Sequence, residues 1–170
     1  MSNFVNKSFK VGYLNLRAQT GFGTTKQAQV EHFVKQHMFD ILHLQEAQIS
    51  EDSFENCDFI TSNYTILTNN ARNPYGTASL VTSSLEPRNI KCDTQGRVIV
   101  FDIGDVTFAN VYLPSGNDTV MRNLREDYLS LSIPQLLINV KIMGALEVTG
   151  TVSPMILMQP KTMLRNDPRV

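Results

Sequence analysis

Apolar and polar positions change period several times along the chain, and each change predicts an element. KVGYLNL at residues 10 to 16 alternates and predicts a strand, after which TGFGTT reads as a Gly-rich loop. Thr24 or Thr25 is then placed to cap a helix, and Val30, Phe33, Val34 and Met38 recur at helical spacing, giving one apolar stripe over about residues 25 to 38. Asp40 breaks the pattern, and ILHLQ at 41 to 45 predicts a buried strand whose end delivers Glu46. This is a βαβ opening, with the helix packed on a sheet.

A short acidic helix is expected near 51 to 56. Strands follow at YTILT (64 to 68) and TASLVTS (77 to 83), separated by the turn-rich NNARNPYG. NIKCDT, RVIVFDI and VTFANVYL continue a meander, the last two joined by Gly104 and Asp105 as a two-residue hairpin signal. Pro114, Ser115 and Gly116 end that strand. A helix over about 119 to 140 would present Leu124, Tyr128, Leu131, Leu136 and Leu137, with Pro134 kinking or dividing it.

Composition narrows the class without naming a chemistry. With 170 residues, 42% hydrophobic and 18% charged, the chain fits one globular domain with a substantial core. A net charge of −1 excludes the global basic field of a strong nonspecific nucleic-acid binder, so any DNA contact has to be local. Cys57 and Cys92 make neither a metal-ligand spacing nor a disulfide framework, which predicts free thiols in a reducing compartment. With no apolar signal segment and no stretch fit to span a bilayer, a cytoplasmic or nuclear location is expected.

Three features fall at the ends of predicted strands, where α/β enzymes place chemistry: Asn15 in YLNLR, Glu46 in LHLQE, and Asn110 with Tyr112 in FANVYLPSG. The histidines are weaker candidates. His32 and His37 lie five apart and do not share a helix face as a metal pair would, and His43 alternates with Leu42 and Leu44, which favours a hydrogen-bonded packing role. Arg17, Lys26, Arg72 and Arg122 could touch phosphates, but isolated basic residues of this kind read first as solvated charges.

In this order and spacing the motifs resemble the opening of the endonuclease/exonuclease/phosphatase superfamily. They are most similar to the apurinic/apyrimidinic-like endonuclease domain of LINE-type non-LTR retrotransposons. The match runs over residues 8 to 141 and includes N-L-R, D-I-L-H-L-Q-E, G-T-A-S-L-V, N-V-Y-L-P-S-G and the R-x-x-Y-L helix. The resemblance implies a partial four-layered αββα sandwich of the DNase I type. It also implies a DNA substrate and Mg²⁺, for which Mn²⁺ could substitute. By the same resemblance Glu46 would ligate the metal, Asn15 would help hold the metal shell and take part in catalysis, and Tyr112 would lie beside the scissile phosphate. A hard cation of this kind keeps several waters, so one carboxylate with the substrate phosphate can anchor it.

The resemblance is incomplete. The family's G-D-x-N strand and late S-D-H motif, which orient and activate the attacking water, do not occur, and the G-D at 104 and 105 continues into a hairpin with Val and Thr. The chain is therefore expected to lack the C-terminal strands and helices of the fold, to bind metal weakly or not at all, and to be inactive. Residues 142 to 170 carry Met143, Met155, Met158 and Met163 with no sustained period, and are expected to be an aberrant tail. IMGALEVTGTV can be encoded so that a shifted frame reads D-N-G-C-I-G-G-D-W-N-C, restoring G-D-x-N, which suggests a frameshift. Two other readings stand beside this one. The first is a phosphatase or phosphodiesterase of the same superfamily acting on lipid, inositol phosphate or RNA. The second is a non-enzymatic α/β interaction module, in which Asn15, Glu46 and Tyr112 would point to different places.

Overall fold

The computed structural model describes residues 8–17, 22–70, 76–113 and 116–137. The first sheet is built from β1 (Val11–Asn15), β2 (Ile41–Gln45), β3 (Tyr64–Asn69) and β4 (Thr77–Thr82), in the order β1-β2-β4-β3. β1 and β2 run parallel with Asn15 opposite Gln45, and α1 (Thr24–His37) makes the crossover between them. β4 is antiparallel to both β2 and β3. The second sheet is the antiparallel meander β5 (Arg88–Cys92), β6 (Val98–Ile103) and β7 (Val106–Val111). Ile103 pairs with Val106, so Gly104 and Asp105 form a two-residue turn, and Gly104 supplies the positive φ of 58° that it needs.

Strand alternation sorts the apolar residues into three layers of contact. From β2, Leu42 and Leu44 face outward with Leu80 against Val30 and Val34 of α1, Ile60 of α2 (Asp58–Asn63) and Phe54. Ile41, Val81 and Val11 face inward and meet Ile99, Phe101, Ile103 and Phe108 of the second sheet. Val98 and Val100, one register step away on β6, face out to Tyr128 and Ile133 of the helical segment that follows β7. The result is helices, sheet, sheet, helices: an α/β four-layered arrangement, as the resemblance implied, with four strands in one sheet and three in the other among the described residues.

Several element boundaries differ from the sequence expectation, each for a local reason. The cap of α1 is Gly23, which has no side chain to offer, and Thr24 is already helical. Met38 does not complete the apolar stripe. It adopts φ 49°, its N–H closes the helix onto the Val34 carbonyl, and its side chain is 60% exposed, so Phe39 fills the core instead. The acidic segment is a short 3₁₀ turn, Glu51–Phe54, and α2 was not foreseen.

The expected long helix is divided. α3 (Thr119–Asp127) is capped by Asp118, whose Oδ1 accepts from the Met121 N–H at 2.9 Å. A π turn, Tyr128–Ser132, joins it to α4 (Ile133–Leu136), with Pro134 near the start. The Ile133 N–H reaches five residues back to the Tyr128 carbonyl, a spacing that accommodates the proline ring. The extra residue rotates the stripe: Tyr128 and Ile133 are buried, whereas Leu124 and Leu131 are exposed. The proposed tail at 142–170 and the last residues of the expected helix lie outside the described residues. No helix among the described residues is long and apolar enough to cross a membrane.

The space between the sheets grades from apolar to polar. At one end Phe9 and Phe108 meet edge to face, with Leu85 and Ile103 beside them. At the other end side-chain amides and a hydroxyl cross from sheet to sheet. Asn110 Nδ2 donates to the carbonyls of Leu44 (3.2 Å) and Ala78 (2.8 Å), Gln45 Nε2 to Val111 O (3.1 Å), and Asn69 Nδ2 to Val98 O (3.0 Å). Thr77 Oγ1 donates to Gly96 O at 3.3 Å. Each bond gives a backbone carbonyl a side-chain partner across the gap between the sheets.

Candidate active site at the polar end of the sandwich

The parallel pairing of β1 and β2 sets the site. Their ladder continues one step past Asn15, through Leu16 N–H to Gln45 O at 2.9 Å. Both chains then turn through the left-handed region, Arg17 at φ 47° and Glu46 at φ 48°. Such values cost a non-glycine residue roughly 1–2 kcal/mol, and strain of this kind concentrates at functional positions. The turn lifts the Glu46 side chain over the sheet end. Gly76 makes room behind it: a Cβ there would stand 2.7 Å from Ala47 O, and Gly76 O accepts the Ala47 N–H at 2.7 Å.

Asn15, Glu46 and Tyr112, from β1, β2 and the end of β7, come together. Asn15 Nδ2 donates to Glu46 Oε1 at 3.0 Å, and the Tyr112 hydroxyl donates to the same oxygen at 2.8 Å. Asn15 is itself held by the Arg17 N–H, which donates to its Oδ1 at 2.9 Å. Glu46 Oε2 accepts no hydrogen bond among the described residues. This convergence is not what a module with incidental strand-end residues would give, since the three side chains share one oxygen.

Asn110 does not join them. It lies buried two residues before Tyr112 and serves as the inter-sheet bridge described above. Gln45, directly before Glu46, plays the same part. Sequence reading had also missed Arg97. Its guanidinium carbon stands 5.3 Å from the centroid of the Tyr112 ring, Nη1 donates to Tyr112 O at 3.4 Å, and its carbonyl accepts the Tyr112 N–H at 2.8 Å. The Gly-Arg pair at the start of β6 was the available signal, but a lone arginine before an apolar strand reads as solvated.

The histidines fall where packing puts them. His43 lies between the sheets, its Nδ1 2.9 Å from Ser79 Oγ and its ring against Tyr13 and Phe101. Burial lowers its pKa to about 3, and Nε2 has no partner among the described residues, so the imidazole is neutral and shut away from the site. His37 packs against Phe33 and Phe39 on α1, and His32 is exposed. Lys26 Nζ donates to Arg17 O at 3.1 Å, and Arg122 is exposed on α3; Arg72 lies outside the described residues.

A magnesium ion asks for hard oxygen ligands, tolerates few protein groups, and fills its octahedron with water and substrate phosphate. Glu46 fits that demand: one carboxylate at a strand end, with one oxygen held by two neutral donors and the other without a hydrogen bond among the described residues. A cage made by protein alone is not present, since no cluster of three or more His, Cys, Asp or Glu side chains occurs among the described residues.

No protein-family model and no curated protein sequence matches the chain. Solved structures do match by fold. An AP endonuclease from Archaeoglobus fulgidus superposes with a TM-score of 0.60 at 19% identity, over 78% of this chain and 52% of its own. The 3′ phosphatase NExo from Neisseria, in a structure bound to product DNA hairpin, gives 0.58 at 18% identity, over 78% and 54%. TDP2 from C. elegans gives 0.55 at 21% identity, over 79% and 46%. The chain thus spans about half the length of these proteins, and what it shares with them is the DNase I-like α/β sandwich.

Proposed function

We propose that this chain carries the metal-binding part of a phosphodiester hydrolase site for DNA, and that it does not turn substrate over by itself. The observation that carries the reading is the convergence of Asn15 and Tyr112 on one oxygen of Glu46, whose second oxygen accepts no hydrogen bond among the described residues. Glu46 is the anchor for Mg²⁺. Asn15 orients its carboxylate and would help hold the metal. Tyr112, whose hydroxyl already points into the site, donates to a phosphate oxygen when substrate replaces the internal bond. A bound Mg²⁺ supplies charge neutralisation at the phosphate.

The inactive half of the reading rests on what accompanies Glu46. Hydrolysis at neutral pH needs a group to take the water's proton, most often an imidazole oriented by a carboxylate. Among the described residues the one histidine near this end is His43, which burial keeps neutral and inaccessible. The DNA-acting proteins of the same fold support DNA as the substrate class.

The test is Mg²⁺ titration by calorimetry, with a short DNA oligonucleotide present, together with nicking of supercoiled plasmid, for the wild type and Glu46→Ala. Weak Mg²⁺ binding that disappears in Glu46→Ala, with no nicking by either protein, is expected. Nicking lost in the variant would overturn the inactive reading, and Mg²⁺ uptake that is absent or unchanged in Glu46→Ala would overturn the metal role.

A further inference from the structure

A continuous set of hydrogen bonds leads from the outer helical layer to the site. Its centre is Asp93, in the turn between β5 and β6. Asp93 Oδ1 accepts from the backbone N–H groups of Arg97 and Val98 and from Asn69 Nδ2, each at 2.8 Å. Oδ2 accepts from the Gln95 N–H at 3.2 Å and from the Tyr128 hydroxyl at 3.0 Å. One carboxylate therefore gathers the turn, a strand of the opposite sheet and the π turn after α3.

Arg97 is the residue that this arrangement delivers. Gly96, at φ 74°, turns the chain so that the Arg97 and Val98 N–H groups face back to Asp93. No carboxylate lies within ion-pair distance of Arg97 among the described residues, so no opposite charge pulls its guanidinium away from the ring it covers. The Arg97 carbonyl accepts the Tyr112 N–H and its guanidinium meets the Tyr112 carbonyl and ring, and the Tyr112 hydroxyl in turn meets Glu46.

We propose that Asp93 and Tyr128 are positioning residues for the site, setting through Arg97 the ring of Tyr112 against Glu46. This rests on the reading of Tyr112 and Glu46 as a phosphate and metal site for its purpose, but not for its geometry. Tyr128 is suited to the part. Burial first, and then the Asp93 carboxylate, push its hydroxyl above the ordinary phenol range, so it remains a donor at any working pH. The hydrogen bond also explains the position of the π turn. Tyr128 begins it, and the segment's buried anchors are Tyr128 and Ile133 on the outer face of β6.

The experiment needs neither metal nor turnover. The chain is labelled with 3-fluorotyrosine, and the ¹⁹F resonance of Tyr112 is assigned by its loss in Tyr112→Phe. Tyr128→Phe and Asp93→Asn are expected to move that resonance by more than a linewidth. Tyr64→Phe, which removes a hydroxyl donating to Phe39 O at 2.8 Å at the opposite end of the sandwich, is expected to leave it in place. Should Asp93→Asn fail to fold, Tyr128→Phe decides alone, because it removes one hydroxyl and keeps the ring. A Tyr112 resonance unmoved in a folded Tyr128→Phe, or moved equally by Tyr64→Phe, would overturn the proposal. Titrating Mg²⁺ into the same labelled samples separates the two questions: a Tyr112 response lost in Glu46→Ala belongs to the metal reading, and its absence leaves the Tyr128 comparison intact.

Discussion

Replacing His43 by Gln should flatten the acid dependence of stability, and the size of the effect follows from burial. The imidazole is 1% exposed between the sheets, bonded at Nδ1 to Ser79 and without a partner at Nε2 among the described residues, and its pKa falls from 6.5 to about 3. Above pH 6.5 the folded and unfolded chains both hold it neutral, and nothing is lost. Below that value the unfolded chain takes up a proton that the folded chain refuses, so stability declines as pH falls toward the folded pKa. At about 1.4 kcal/mol per pH unit, the loss between pH 7 and pH 5 is about 2 kcal/mol, growing to roughly 4–5 kcal/mol by pH 3. Every other group is common to the two proteins and cancels in the difference. Urea unfolding followed by circular dichroism at pH 7, 6 and 5 measures it. Parallel curves for the wild type and His43→Gln would show that the imidazole reaches water or a compensating acid, and would refute the buried-neutral assignment.

Two further outcomes test the frame around the site. In Gly12→Ala the new Cβ would sit 2.6 Å from the Phe39 ring, so thermal unfolding should show a loss of about 1–3 kcal/mol; an unchanged midpoint would mean that Phe39 swings aside freely. Asn69→Leu removes the donor that Val98 O, Asp93 O and the Asp93 carboxylate share; Val98 O keeps the Asp93 N–H at 3.2 Å, so the cost is that of the lost bonds, chiefly the one to the charged carboxylate, about 1–3 kcal/mol by denaturant titration. A smaller change would assign the inter-sheet tie to its neighbours.

The strands and the crossover were legible because period-2 alternation and an i, i+3, i+4 stripe are local signals: β2 ends at Gln45 and puts Glu46 where the pattern put it. Asn15 and Tyr112 could be named as strand-end residues, but their meeting on Glu46 Oε1 depends on β1 lying parallel to β2 and on the second sheet stacking over the first, which no local period encodes. Asp93 and Arg97 were missed for the same reason, since D-T-Q-G-R looks like any polar turn until its carboxylate is seen to collect five donors. The π turn escaped because nothing in YLSLS distinguishes it from an α-helix; only Pro134 hinted that the spacing would change. Met38 fits the stripe by number and leaves it by backbone geometry.

The polar gradient between the sheets bears on which substitutions the fold can absorb. Apolar contact has no preferred direction, so Leu85, Ile103 and Phe108 can exchange volume with one another while the sheets slide by fractions of an ångström. The amide bridges from Asn110, Gln45 and Asn69 are directional, and they stand at the opposite end, beside Glu46. Sequence drift at the apolar end is thereby mechanically insulated from the site: the sandwich behaves as a clip riveted at its working end, where its jaws can loosen at the back without moving the point that grips.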